Sequence, residues 1–238
     1  MRKIIITCLM VTMMFVNSVY AADTPLIKRV DTAVNNYDEY IDISDNQLND
    51  DEFVAVMTEY FAKYSSAGLI NCTLQAYDED ENGLYDVIKP DYRYSEKMNG
   101  IINRQIDRAE DKIIAHTNGL TAEEKVQFVY SYFCKYFSYD SELNYDLKHL
   151  YDENNGTCAA FAIAYKRIMD KMDIPCKIAL SADLTHEWNK VFINNEWLNL
   201  DITDGVRLYA TGAPNAHLRT YLLPDSVYAA RGYIEKTE

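Results

Sequence analysis

The chain has 238 residues, 48% of them hydrophobic, which is enough for one sizeable core and a small additional subdomain. Thirty-seven acidic residues against 23 basic ones give a net charge of −14. That balance makes nucleic acid and anionic membrane surfaces poor partners, and solubility is a sufficient reason for it.

The N-terminus reads as a secretory leader. Arg2 and Lys3 supply the positive region, Ile4 to Val16 is mostly apolar, and Val19-Tyr20-Ala21 places the cleavage after Ala21. The apolar run is short of the roughly 20 residues that span a bilayer. Cys8 lies too early in it for lipid attachment. The expected product is secreted, periplasmic or extracellular, without an integral membrane segment. Losing Arg2 and Lys3 takes its charge from −14 to −16.

Residues 22–40 read as a polar, loose lead-in, and Ile41 and Ile43 as a short strand. Phe53, Val56, Met57, Tyr60, Phe61 and Tyr64 recur at helical spacing, with Asn49 and Glu52 as an N-cap pair and Gly68 as a stop. Leu69 to Tyr77 and Leu84 to Ile88 predict two strands around an acidic loop. Asp78, Asp80, Asn82 and Gly83 have the spacing of the first half of a calcium loop, but the twelfth position is Lys89 instead of a bidentate Glu. A solvated hairpin turn at Asn82-Gly83 is the preferred reading. Ile102, Ile106, Ala109 and Ile113 mark a helix over 95–117, ended by Asn118-Gly119. Thr121 and Glu124 form a capping box for the next helix, which buries Val126, Val129, Phe133 and Phe137. Residues 140–156 read as irregular. The expected division is a leader over 1–21, an N-terminal extension over 22–120 and a core over 121–238.

Phe161, Ala164, Tyr165, Ile168 and Met172 mark a helix that begins near Cys158 and is closed by Asp173 and Pro175. A cysteine in the first turn of a helix is favoured as thiolate by the unpaired amides and the positive end of the dipole. Val191 to Ile193 and Glu196 to Leu198 flank Asn194-Asn195, a two-residue hairpin turn. That register makes His186 and Asp201 diagonal neighbours on one face, within reach of an imidazole–carboxylate bond. Val191, Ile193, Leu198, Leu200 and Ile202 then share the core face. A thiol, an imidazole and a carboxylate are the parts of a nucleophilic cysteine site. Taken singly, each has a bland alternative: a buried structural cysteine, a satisfied strand histidine, a surface acid. His116 sits at a helix end, His149 and His217 lie in predicted loops or edges with no partner carboxylate at a telling offset, and His149 is the fallback base. Cys72, Cys134 and Cys176 complete the post-leader set. An even count in an exported chain suggests two disulfides, whereas a free Cys158 leaves three thiols of which at most two pair. Cys134 and Cys176 occupy positions typical of buried hydrophobes.

Gly156-Thr157-Cys158, His186-Glu187-Trp188-Asn189 and Asp201-Ile202-Thr203, in this order, resemble the transglutaminase-like superfamily of papain-fold cysteine enzymes, secreted bacterial type. The helix ending in Ser138-Tyr139-Asp140 resembles the one preceding the nucleophile in those proteins. Two departures are Tyr130-Ser131, where bacterial members commonly carry His-Asp, and Asp204, where many carry Trp. The resemblance implies an α+β fold in which a nucleophile helix packs on an antiparallel sheet, extended by N-terminal helices and a hairpin. It implies acyl chemistry on amide bonds of a protein or peptide substrate through Cys158, His186 and Asp201, with no cofactor and no metal. Hydrolysis is favoured over transamidation. Tyr151 and Asn155 are available as a side-chain oxyanion donor. The alternative from another class is a secreted binding or scaffolding module that retains the fold; a weaker one is calcium-dependent adhesion through the acidic hairpin.

Overall fold

Helical order begins earlier than the sequence reading allows. The computed structural model describes residues 2–6, 25–63, 72–140, 146–183 and 185–235, which fall into two compact units, 1–101 and 102–237. The first unit opens with β1 (Arg2–Ile6) and α1 (Pro25–Asn35). Leu26, Ile27, Val30, Ala33 and Val34 of α1 are buried, an i, i+4, i+7 stripe within the supposed loose lead-in. It continues through β2 (Ile41–Asp42), α2 (Asp50–Lys63), β3 (Cys72–Asp78) and β4 (Val87–Tyr92). Asn49 and Glu52 cap α2 as expected: the Asn49 side chain accepts from the Glu52 amide at 3.1 Å and Glu52 accepts from the Asn49 amide at 3.0 Å. Tyr64 and Gly68 lie outside the described residues.

The strands form an antiparallel sheet in the order β1-β3-β4-β2. Arg2–Ile6, the beginning of the stretch read as a leader, pairs with β3; residues 7–21 of that stretch lie outside the described residues. The second hairpin strand starts at Val87, later than the sequence suggests, because side chains hold residues 79–86 as a wide loop. Asp78 accepts from the Asn82 and Gly83 amides, Asn82 from Leu84, and Asp86 from Glu79. The carboxylates of Asp78, Asp80 and Asp86 lie within 4.8 Å of one another, with Asp78 buried and bonded through both oxygens to the loop's own amides. The loop therefore has an organising role that requires no ion.

The unit boundary falls within α3 (Glu96–Ala115). The second unit continues with α4 (Ala122–Tyr136), β5 (Ser138–Tyr139), α5 (Leu147–Glu153), β6 (Asn155–Gly156) and α6 (Cys158–Lys171). The Thr121/Glu124 capping box is present. Two corrections arise here. The helix preceding the nucleophile ends at Tyr136, and Ser138-Tyr139 turns into a short strand parallel to Asn155-Gly156. Part of the segment read as irregular is α5, started by the Asp146 side chain accepting from the Lys148 amide at 2.8 Å. Next come β7 (Cys176–Leu180), β8 (Glu187–Ile193), β9 (Glu196–Leu200), α7 (Ile202–Ala210) and α8 (Asp225–Ala230).

Strands β7, β8 and β9 form an antiparallel sheet against which α6 packs, and the Asn189 amide ties the layers by donating to the Ala162 carbonyl at 2.9 Å. The fold class is thus α+β with a papain-like core. The β8–β9 register is as the turn predicts: Asn194 and Asn195 both have positive φ, and Asn189 opposes Leu200. Val191, Ile193, Leu198, Leu200 and Ile202 are buried. No helix among the described residues is long and apolar enough to cross a membrane.

Candidate active site

Three elements of the second unit converge on one imidazole. Cys158 is the first residue of α6, whose N-cap Thr157 makes no side-chain cap bond. His186 immediately precedes β8, and its Nε2 lies 2.7 Å from Oδ2 of Asp201. With Nε2 committed to the carboxylate, Nδ1 is the ring nitrogen left over, and Cys158 lies near enough to bear on the charge of the ring. The structure brings His186 and Asp201 into direct contact, with Cys158 beside them. Asp201, however, is not on a strand. β9 ends at Leu200, and Asp201 is the N-cap of α7, its Oδ1 accepting from the Asp204 amide at 3.1 Å. An Asp followed three residues later by another acid is an ordinary helix start, and it overrides the continuing alternation of the strand.

Asp201 is completely buried and held on every side. Its amide donates to the Thr220 carbonyl at 3.0 Å, and its carbonyl is 3.3 Å from the Tyr130 hydroxyl, which itself donates to the His217 carbonyl at 2.6 Å. Tyr130 thus props the backbone of Asp201 from beneath. This packing leaves no room at Gly205. A Cβ there would meet the Tyr130 hydroxyl and lie 2.6 Å from Sγ of Cys134. Gly205→Ala is expected to lower stability by about 1–3 kcal/mol by overpacking, read as a reduced melting temperature, with partial recovery in the double variant that adds Cys134→Ala.

Burial works against charge on His186, but the bonds to Asp201 and to Cys158 outweigh it and push the imidazole up to about 10. At its neighbour Glu187, burial outweighs the attraction of the His186 charge and pushes the carboxyl up to about 7. The two act on stability in different windows. The His186 contribution is full below about 6.5 and is lost as pH rises through 10. Glu187 is a carboxyl with a raised value, so stability falls as pH climbs from 4.5 to 7 and stays lowered above. Glu187→Gln is expected to remove that fall, flattening the melting temperature between those limits.

Among the described residues, Cys72, Cys134, Cys158 and Cys176 are free thiols. Burial pushes the Cys72 and Cys134 thiols up to about 12 and Cys176 further still, which fits the reading of Cys134 and Cys176 as small hydrophobes. His149 bonds Asn155 at 2.9 Å and sits 3.7 Å from Asp140, His116 lies against Phe128, and His217 against Tyr130 and Tyr209. The two suggested oxyanion donors are placed differently. The Tyr151 hydroxyl donates to Glu110 at 3.4 Å, whereas the bond from Asn155 to His149 uses the amide oxygen and not the amide N–H. The sequence gives little warning of Tyr139 and Tyr233. Burial and then the nearby Cys158 sulfur raise the Tyr139 phenol, and the guanidinium of Arg207 lies 4.0 Å from its ring centre. The Tyr233 ring is 5.8 Å from that of His186 and its hydroxyl donates to Oδ2 of Asp201 at 2.8 Å.

Residues 109–202 match the model of the transglutaminase-like superfamily. Similar solved structures include one named a TGase (15% identity over 51% of this chain and 42% of that one, TM-score 0.39). Others are a candidate cysteine protease of Cytophaga hutchinsonii (16%, 50% and 51%, TM-score 0.33) and the periplasmic domain of TgpA from Pseudomonas aeruginosa bound to ethylmercury (17%, 50% and 55%, TM-score 0.34). The chain thus spans about half the length of the structures it matches. No curated protein matches it.

Proposed function

We propose, from the match of residues 109–202 to the model of the transglutaminase-like superfamily, that the protein is a secreted cysteine enzyme acting on amide bonds through Cys158. One observation carries the reading: a buried carboxylate holds one nitrogen of His186 at 2.7 Å while the other is left for a thiol at a helix N-terminus. A proton moves from Cys158 to Nδ1 of His186, giving a thiolate favoured by the first-turn amides of α6. The thiolate attacks the amide carbon, and the backbone amide of Cys158 is available to the developing oxyanion. His186 returns the proton to the leaving nitrogen as the C–N bond breaks, leaving a thioester. Asp201 fixes the ring with Nε2 protonated throughout. Water, deprotonated by His186, then releases the acid; an amine in its place would give transamidation. Hydrolysis is the preferred outcome.

Export belongs to the same reading. Cleavage after Ala21 would remove β1 from the first unit, and N-terminal sequencing of the protein recovered outside the cytoplasm is expected to begin at Ala22. The activity itself is tested by incubating the protein with a peptide library, with and without a primary amine, and identifying products by mass. Acid products made by the wild type and absent with Cys158→Ala support hydrolysis, amine adducts support transamidation, and products that persist in Cys158→Ala contradict the assignment.

A further inference from the structure

We propose that Tyr233 is a positioning residue that, by donating a hydrogen bond to Oδ2 of Asp201, sets how strongly that carboxylate holds the His186 ring. The inference rests on Cys158, His186 and Asp201 being the reacting group.

Tyr233 follows α8 and is held there by the backbone. Its amide donates to the Tyr228 carbonyl at 3.0 Å, and the next carbonyl, of Ile234, accepts from the Ala182 amide at 2.7 Å. Glu235 anchors the segment further through the buried Lys190 ammonium, 2.7 Å away. The ring is packed against Trp188 and Tyr228, with centroids 5.5 and 4.6 Å apart, so it cannot swing away from the imidazole without unpacking that cluster.

Oδ2 of Asp201 is a shared acceptor, taking His186 Nε2 at 2.7 Å and the Tyr233 hydroxyl at 2.8 Å. The same hydroxyl also contacts Oδ2 of Asp204, the residue at the position where many family members have Trp. A phenol has one proton to donate, so two carboxylates compete for it. When the proton is directed to Asp201, the carboxylate is stabilised and pulls less strongly on the imidazolium. When it is withdrawn, the carboxylate has only the imidazole to bond and holds the imidazolium to higher pH. The other titratable groups facing the pair are Cys158 from α6, Glu187 beside the imidazole, Asp204 with its neighbour Arg207 from α7, Tyr130 and Cys134 from α4, and Tyr228 from α8.

The test is an NMR titration of the His186 ring, one of four histidines, in the full chain. Tyr233→Phe keeps the packing and removes the donor, and its midpoint is expected to rise by roughly half to one pH unit. Asp204→Asn removes the competing acceptor and is expected to lower the midpoint, with a smaller effect when combined with Tyr233→Phe. A residue that only packs would leave the midpoint unmoved in Tyr233→Phe, and that result overturns the proposal. Should Tyr233→Phe not fold, an unmoved midpoint in Asp204→Asn overturns it equally. Alkylation of Cys158 in the same wild-type sample separates the two layers of the argument. A Cys158 unreactive at mildly acidic pH overturns the triad and this proposal together; a reactive Cys158 with an unmoved midpoint overturns the role of Tyr233 alone.

Discussion

Replacing His186 with alanine is expected to slow iodoacetamide alkylation of Cys158 at about pH 6 by roughly a hundredfold or more, the scale of a lost proton acceptor. The expectation follows from the arrangement around the imidazole. Anchored to the buried Asp201, the His186 ring can take the thiol proton and remain beside the sulfur as its counter-charge. Without the ring, only the α6 amides and dipole favour the anion, and that influence is modest. Asp201→Asn is expected to give a smaller loss, because the amide keeps its place as the α7 N-cap but no longer compensates an imidazolium. Peptide mapping of every cysteine supplies internal controls: burial raises the thiols of Cys72, Cys134 and Cys176, so their labelling stays slow in all variants.

Glu110→Ala is expected to cost about 3–5 kcal/mol, a large part of the roughly 5–15 kcal/mol that holds a typical domain together. Glu110 is completely buried on α3 and receives a two-pronged bond from Arg167 of α6, Nε to Oε1 at 2.7 Å and a terminal nitrogen to Oε2 at 2.8 Å. Lys171 adds a third contact at 2.9 Å. Arg167 is itself buried, so removing the acid strands a guanidinium in the interior, where neither water nor another fully buried carboxylate can replace it. Asp107, half exposed at 3.1 Å, is a partial substitute. Thermal melts of the full chain measure the loss. The double variant Glu110→Leu with Arg167→Met is expected to recover much of it, since a buried pair exchanged for apolar groups of similar volume costs little. A Glu110→Ala protein that melts with the wild type would contradict this account of the α3–α6 contact.

Local chemistry is what the sequence makes legible. The Thr121/Glu124 and Asn49/Glu52 boxes, the helix beginning at Cys158 and the Asn194-Asn195 turn each depend on a few neighbouring residues. The turn fixes the strand register from Asn189 to Leu200, just short of His186 and Asp201. The stretch after β9 misleads because Leu198, Leu200 and Ile202 continue the strand alternation while Asp201 and Asp204 start a helix, and capping prevails. Residues 25–35 look loose although Leu26, Val30 and Val34 carry helical spacing; the surrounding charges obscure it. Glu110, Arg167 and Tyr233 are hidden for another reason. Each acts across a long sequence separation, and on its own element each looks like an ordinary surface or tail residue.

The central claim, that Cys158 forms an acyl-enzyme, is tested most directly by mixing the protein with an activated ester such as p-nitrophenyl acetate and mapping the acyl group by mass. The account predicts a burst of p-nitrophenolate with one acetyl group on the Cys158 peptide, released by hydroxylamine and absent in Cys158→Ala. A folded protein whose Cys158 remains a free, unacylated thiol, or which gives the same burst without Cys158, would contradict it.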